Sequence, residues 1–306
     1  MQPNPDPLQW HIGLIGYGEV GRILAEDLRQ RGVKALLAYD LKLGGEQEAP
    51  LRQHAASFGV ELAATPGALA GGVDLLISAV TASQTLPAAA SCAAQLKPGA
   101  WFLDFNSASP ATKIKAAALI DAAGGRYVEG AVMTSVPPHR LRVPLLLGGP
   151  QAQVLAPLLK TLGFVASLAS TRLGVASATK MCRSVMIKGL EAMVIESFTA
   201  ARAYGVEEQV LASLGETFPG IDWEQQGSYF FQRVIQHGRR RAEEMREAAQ
   251  TVREAGLPAW SAEGSAERQA WVAALAERGL LDEREASRQD WRADADLLLA
   301  ALTRRS

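Results

Sequence analysis

This chain of 306 residues has few cysteines and histidines and almost no net charge. The two cysteines, Cys92 and Cys182, lie far apart, and the four histidines do not have the spacing of metal ligands. We therefore expect neither a disulfide framework nor a metal site. A formal net charge of -1 gives no electrostatic reason to expect nucleic acid or an anionic membrane as a partner.

Long apolar runs are missing too. No segment reaches the roughly 20 apolar residues of a membrane span. The amino-terminal stretch MQPNPDPLQWHIG also lacks the basic start and apolar core of a secretion signal. From these absences we expect a soluble, cytoplasmic protein.

What the chain does contain is a regular alternation of short apolar segments with alanine- and leucine-rich helical segments. Strands are predicted at 11–16, 35–40, 74–80, 101–106, 126–133 and 144–149. Such alternation predicts a mostly parallel sheet covered on both faces. The strand pattern stops near residue 170, and long helices are predicted over 172–203 and 225–255. We therefore predict an α/β domain over 1–170 followed by an all-α domain over 171–306.

The segment GLIGYGEVGR carries a G-x-G-x-x-G pattern between the first predicted strand and an amphipathic helix. In this context the pattern predicts a dinucleotide site, because Gly16 permits a tight turn, Gly18 lets backbone approach the pyrophosphate, and Gly21 lets the helix pack on the strand. The amides at the helix start would hold the phosphates. The predicted cofactor contacts are Gly16, Tyr17, Gly18, Glu19, Val20, Gly21, Asp40, Val80, Thr81 and Asn106.

Asp40 ends the second predicted strand, 19 residues after Gly21. Its carboxylate would accept hydrogen bonds from the ribose hydroxyls and repel a 2′-phosphate, which favours NAD. Lys42 could bind that phosphate instead, so NADP stays possible.

The helix ATKMCRSVMIKGLEAM places Lys180, Arg183, Ser184 and Lys188 within one arc at about 100° per residue. One interpretation is an amphipathic surface helix whose charged side lies in water. The wide apolar side favours another, in which the helix packs on several neighbours and its polar stripe faces an enclosed cleft.

With this helix placed after a nucleotide-binding half, the chain resembles the β-hydroxyacid dehydrogenase superfamily, which includes 3-hydroxyisobutyrate and 6-phosphogluconate dehydrogenases. The resemblance runs from the glycine turn through LDFNSASP to GVASATKMCRS. It implies a Rossmann domain followed by an all-α domain that forms a homodimer, with Lys180 as the catalytic acid/base. It also implies that Asn106 and Ser107 lie where nicotinamide and substrate meet, although both could simply be turn residues capping the next helix.

Three positions depart from the pattern of that superfamily. Met133, Thr134 and Ser135 stand where Ser-Gly-Gly is usual, and Ser184 stands where an asparagine usually follows the lysine. Phosphogluconate enzymes carry a glutamate further along this helix, but the matching positions here fall near Ile187 and Lys188, neither of which is an acid. A decarboxylating reaction is therefore doubtful, and we do not expect one of the superfamily's standard substrates.

These residues predict a proton transfer coupled to hydride transfer. A lysine accepts a hydroxyl proton only when neutral, and the neighbouring cations Arg183 and Lys188 would lower its pKa. The guanidinium of Arg183 could also bind a carboxylate through two hydrogen bonds. The predicted substrate contacts are Asn106, Ser107, Arg183, Ser184 and Lys188.

We predict an NAD(P)-dependent oxidoreductase that acts on a small anionic hydroxy acid or its keto or semialdehyde counterpart. The alternatives are a non-catalytic nucleotide-binding regulatory protein and a decarboxylating phosphogluconate-type dehydrogenase. Imine reduction is disfavoured, because relatives with that activity generally lack the lysine. The helix QHGRRRAEEMRE is predicted either to be a solvated, internally paired face or to present His237, Arg240 and Arg241 to the second subunit of a dimer.

Overall fold

The computed structural model describes residues 6–282, 284 and 290–303. Contacts divide the chain into two compact units, Met1–Met181 and Cys182–Ser306. The predicted boundary at residue 170 coincides with the end of the last strand, whereas the first unit continues to Met181.

The first unit is built on an eight-stranded sheet in the order β3-β2-β1-β4-β5-β6-β7-β8. Its strands are β1 His11–Ile15, β2 Ala35–Tyr39, β3 Glu61–Leu62, β4 Leu75–Ser78, β5 Trp101–Asp104, β6 Arg126–Val132, β7 Leu145–Gly148 and β8 Ala166–Ser170. Neighbouring strands are parallel except β6 and β7, which are antiparallel. The mostly parallel sheet is confirmed.

Two of these strands were not predicted, and each lacks the apolar run on which prediction depends. β3 has only two residues, and β8 is an edge strand whose central residues are exposed. All six predicted strands are present. β4 and β5 are buried along their whole length, and they are therefore recognisable in the sequence as continuous apolar segments.

Helices pack on both faces of the sheet, and two buried apolar clusters lie beneath them. These helices are α1 Glu19–Gln30, α2 Glu48–Phe58, α3 Pro66–Gly71, α4 Thr85–Ala93, α5 Pro110–Ala122, α6 Val136–His139 and α7 Ala152–Leu162. Several begin at residues suited to a helix start: Ser109 caps α5 through its hydroxyl, and Pro110 occupies the first position.

The boundary between the units lies within α8, Val175–Tyr204, after which the second unit is helical in its described part. The remaining helices are α9 Glu207–Thr217, α10 Trp223–Glu254, α11 Trp260–Glu277 and α12 Trp291–Thr303. Both predicted long helices are confirmed, as α8 and α10. A core that includes Phe198, Phe231 and Trp291 holds this unit together. Among the described residues, no helix is long and apolar enough to cross a membrane.

The arginine-rich run of α10 is only partly the solvated face predicted for it. Arg239 and Arg240 are exposed. Arg241, in contrast, is buried and forms an ion pair with the buried Glu191 of α8. The expectation that Arg241 lies in water or faces a second subunit was therefore wrong, because its guanidinium neutralises a buried carboxylate of its own chain.

Candidate active site

The turn between β1 and α1 has the geometry that a dinucleotide phosphate requires. Gly16 has a φ of +91°, and a Cβ there would overlap the carbonyl oxygen of Ala79. A Cβ at Gly21 would overlap the carbonyl oxygen of Gly16. A Cβ at Gly18, by contrast, would meet nothing within 4 Å, and no side chain caps the start of α1. The turn thus presents open space and helix-terminal amides on one side, which fits a bound pyrophosphate.

Asp40 connects this turn to the end of β2. Its Oδ2 accepts a hydrogen bond from the backbone N–H of Tyr17 at 2.8 Å, and its Oδ1 accepts one from that of Lys42 at 3.0 Å. The carboxylate is therefore held in one orientation beside the glycine turn. Each oxygen keeps a second lone pair with which a ribose hydroxyl could interact.

The side chain of Tyr17 points into the protein rather than toward the open side of the turn. It is fully buried, and its hydroxyl lies 2.8 Å from Nδ1 of His54 in α2. Nε2 of His54 lies 2.9 Å from Glu26 in α1, and Arg140 forms an ion pair with Glu26 at 2.6 Å. Asp27 also pairs with Arg140, at 2.7 Å.

The Tyr17 network was not predicted, because its members are not close in sequence. Burial raises the pKa of Tyr17 to about 12, and so the phenol stays protonated at neutral pH. Burial also raises the pKa of Glu26, but hydrogen bonds from His54 and Arg140 outweigh that effect and lower it overall. Of the glycine turn residues, Tyr17 thus contributes its backbone to the candidate site, while its ring anchors the turn to α1 and α2.

Asn106 joins the carboxyl ends of β4 and β5. Its Oδ1 accepts a hydrogen bond from the backbone N–H of Val80 at 2.8 Å, and its Nδ2 donates to the hydroxyl of Ser78 at 2.9 Å. The side chain is buried, with 3% of the residue exposed. Asn106 therefore fixes the turns around the predicted contacts Val80 and Thr81.

Beneath Asn106 lies a buried ion pair that was not predicted. Lys113 of α5 lies 2.8 Å from Asp104, and both side chains are only 1% exposed. The hydroxyl of Tyr127 donates to the second oxygen of Asp104 at 2.7 Å. Burial is the main cause that raises the pKa of Tyr127 well above its usual value, and Asp104 raises it further. The backbone N–H of Asn106 completes the set through Asp104 Oδ1 at 2.9 Å. These contacts hold the turn that follows β5.

Lys180 and Ser107 come together within the first unit. Nζ of Lys180 donates a hydrogen bond to the Ser107 hydroxyl oxygen at 2.6 Å, although 73 residues separate them. Ser107 follows β5 and the glycine turn follows β1. Both therefore lie at the carboxyl edge of the parallel strands, where ligands bind in open α/β sheets.

The other polar residues of the α8 stripe belong to the second unit. Arg183 is exposed, whereas Ser184 and Lys188 are buried. Lys188 Nζ lies 2.7 Å from Glu244 of α10 and donates to the Ser184 hydroxyl at 3.2 Å. An anionic ligand of Lys188 would therefore compete with a carboxylate already in place.

Comparison with known proteins adds evidence from outside the chain. Residues 11–168 match the family model described as the NAD binding domain of 6-phosphogluconate dehydrogenase, and residues 201–272 match a domain of unknown function, DUF1932. A conserved hypothetical protein from Sinorhizobium meliloti 1021 is 37% identical, with 95% of this chain and 96% of that chain covered and a TM-score of 0.74.

Two further relatives are more distant. An uncharacterized 28.5 kDa protein of Methanothermus fervidus is 28% identical over 206 residues, which are 67% of this chain and 76% of that protein. The structure of 3-hydroxyisobutyrate dehydrogenase from Mycobacterium tuberculosis is 17% identical, with 95% and 99% of the two chains covered and a TM-score of 0.65. At that identity the likeness concerns the fold.

Proposed function

Since the chain belongs to the family of the NAD binding domain of 6-phosphogluconate dehydrogenase, within the β-hydroxyacid dehydrogenase superfamily, and is an NAD(P)-dependent oxidoreductase, we propose that it interconverts a small anionic hydroxy acid and its keto or semialdehyde counterpart. The hydrogen bond between Lys180 and Ser107 carries this proposal, because it places an amine and a hydroxyl at the sheet edge where the glycine turn also lies.

The proposed roles of the residues follow from their chemistry. Bound NAD(P) supplies a nicotinamide ring that exchanges a hydride with the substrate. Lys180, when neutral, takes the proton of the substrate hydroxyl during oxidation, and its ammonium returns that proton during reduction. Ser107 holds the Lys180 amine at a defined position, and Asn106 keeps the Ser107 turn rigid from beneath.

We also propose that the cofactor is NAD in preference to NADP. The two backbone hydrogen bonds to Asp40 support this, because a carboxylate fixed beside the glycine turn would repel a 2′-phosphate. The assignment of Arg183, Ser184 and Lys188 to the substrate remains a prediction from the sequence. A homodimer also remains a prediction, and light scattering at micromolar concentration would test it.

A spectrophotometric screen of hydroxy acids with NAD and NADP tests the proposed activity. Lys180→Ala should lower kcat on the best substrate by about 100- to 10,000-fold, the usual scale for a lost acid/base. NADH affinity should barely change, because the amides proposed to hold the phosphates belong to the glycine turn and the start of α1, and not to Lys180. Near-normal turnover by Lys180→Ala would refute the assigned role of the lysine.

Arg239→Ala is the matched control for the loss of a cation. Arg239 is exposed on α10 and pairs only loosely with Glu277, at 3.5 Å. Exposed ion pairs contribute little to stability, so this variant should fold normally. We therefore expect wild-type kinetics from it.

A further inference from the structure

Glu129 in β6 is a fully buried carboxylate whose hydrogen bonds go to the start of α8. Its Oε1 accepts a hydrogen bond from the backbone N–H of Ala176 at 3.1 Å, and its Oε2 accepts one from the Ser177 hydroxyl at 2.8 Å. The first amides of a helix have no partner within the helix, and the helix dipole places partial positive charge there. Glu129 therefore acts as a helix cap supplied from a neighbouring strand.

Strand β7, which pairs with β6, leaves room for the Glu129 carboxylate. Gly148 of β7 is the register partner of Glu129, and a Cβ on Gly148 would overlap the carboxylate oxygen Oε1. Among the described residues Glu129 takes part in no ion pair, unlike Asp104 beside it in the sheet, which is paired with Lys113. The buried carboxylate of Glu129 is thus compensated by the amino-terminal end of α8, through the Ala176 N–H and the Ser177 hydroxyl.

The position of the Lys180 side chain depends on the turn of α8 that Glu129 caps. Ala176 and Lys180 are four residues apart and so lie on the same face of α8, and helical side chains lean toward the amino terminus of their helix. The Lys180 side chain therefore extends back over the turn that Glu129 holds. A shift of α8 by one residue would rotate Lys180 by about 100° and break its hydrogen bond to Ser107.

We infer that Glu129 is a positioning residue for Lys180: it caps α8, holds the lysine nitrogen on Ser107, and places a negative charge that offsets the helix dipole beside that nitrogen. The catalytic consequence rests on the function proposed above. The capping and the placement of Lys180 are properties of the protein without substrate, and so they can be measured independently.

Two substitutions separate the geometry of the cap from its charge. Glu129→Gln keeps the length of the side chain and an acceptor for Ala176, and its amide can donate to the Ser177 oxygen, so that only the charge is lost. Glu129→Asp keeps the charge but is one methylene shorter. The control is Asp74→Asn. The Asp74 carboxylate also accepts from a backbone N–H, that of His11 at 3.0 Å, but it lies at the amino end of β4 and pairs with the Lys97 ammonium.

Two measurements need no substrate. The first is the pH dependence of Lys180 modification by an amine-reactive reagent, followed by peptide mass spectrometry. The second is amide hydrogen exchange in the first turns of α8. For Glu129→Gln we expect modification to begin at lower pH, because loss of a nearby negative charge lowers the pKa of a lysine, with exchange nearly unchanged.

The shorter side chain should have the opposite pattern. For Glu129→Asp we expect exchange in the first turns of α8 to rise about tenfold, the scale of a lost helix cap, and Lys180 to be modified faster at every pH. Asp74→Asn should match the wild type in both measurements. The inference is overturned if both Glu129 variants behave like this control.

Kinetics then connect the cap to the reaction. If the proposed function holds, Glu129→Asp should lose about 10- to 100-fold in kcat, as expected for a displaced catalytic group, whereas Glu129→Gln should shift the pH profile of kcat to lower pH together with the pKa of Lys180. Unchanged NADH affinity in both variants would show that the cofactor half is intact. If the wild type turns over no hydroxy acid, the proposed function fails, while the modification and exchange results still decide the role of Glu129.

Discussion

The three glycines of the first turn give a quantitative test of where the cofactor lies. In Gly21→Ala, the new methyl group would overlap the backbone carbonyl oxygen of Gly16, which cannot move without disturbing the turn. Alanine gains about 1 kcal/mol over glycine inside a helix, but overpacking against backbone costs about 1–3 kcal/mol or more. Because the overlapped atom belongs to the backbone, the cost should lie at the upper end of that range, and we expect a net loss of about 2 kcal/mol in the free energy of unfolding without cofactor.

Gly18→Ala should behave differently, because a Cβ there meets nothing within 4 Å. Gly18 caps α1 with a φ of -75°, which alanine also adopts. A small capping loss and a similar gain from a less flexible unfolded chain should cancel to within about 0.5 kcal/mol. The open side would be filled by bound cofactor, however, and so we expect NADH affinity to fall by about 1–3 kcal/mol, roughly 5- to 150-fold.

The assays are urea unfolding without cofactor and NADH titration by fluorescence. Gly215→Ala in α9 is the control, since its Cβ would also meet nothing within 4 Å but lies in the helical unit; it should be neutral or stabilising, with normal NADH binding. If Gly18→Ala bound NADH normally, or lost as much stability as Gly21→Ala, the open side of Gly18 would not be the cofactor face.

Three further predictions follow from single contacts. Asp40→Ala should narrow the difference between NADH and NADPH affinity in fluorescence titrations; a wider gap would contradict the proposed ribose contact. Glu26→Gln should lower the free energy of unfolding by about 1 kcal/mol at neutral pH. Because folding lowers the pKa of Glu26, that deficit should disappear as pH falls through the lowered value, and a deficit that persists in acid would refute the charge-based explanation. In the helical unit, Lys188→Met should destabilise the protein by removing the ammonium that pairs with Glu244, and Glu244→Gln in the same chain should restore part of the loss; additive effects would show that the pair is not coupled.

Much of the fold is already determined by local sequence patterns. Strand and helix periods are short-range properties, so the buried strands β4 and β5 and the long helices α8 and α10 could be recognised from the chain alone. The same is true of the glycine turn, because Gly16 has a positive φ that glycine tolerates best and a Cβ at Gly21 would overlap the carbonyl oxygen of Gly16. β3 and β8 escaped prediction because a strand of two residues, or one that is exposed at an edge, has no apolar period.

The roles of polar side chains depend on partners that are distant in sequence, and only the tertiary structure specifies those partners. The stripe of α8 appeared as one set of cations, yet Lys180 bonds to Ser107 and Lys188 pairs with Glu244. Glu129 gave no signal at all, because its partners at the start of α8 lie 47 and 48 residues away. A buried charge must be compensated wherever folding places it. The sequence alone therefore identifies which residues can do chemistry, whereas the folded chain decides which of them are held by one another.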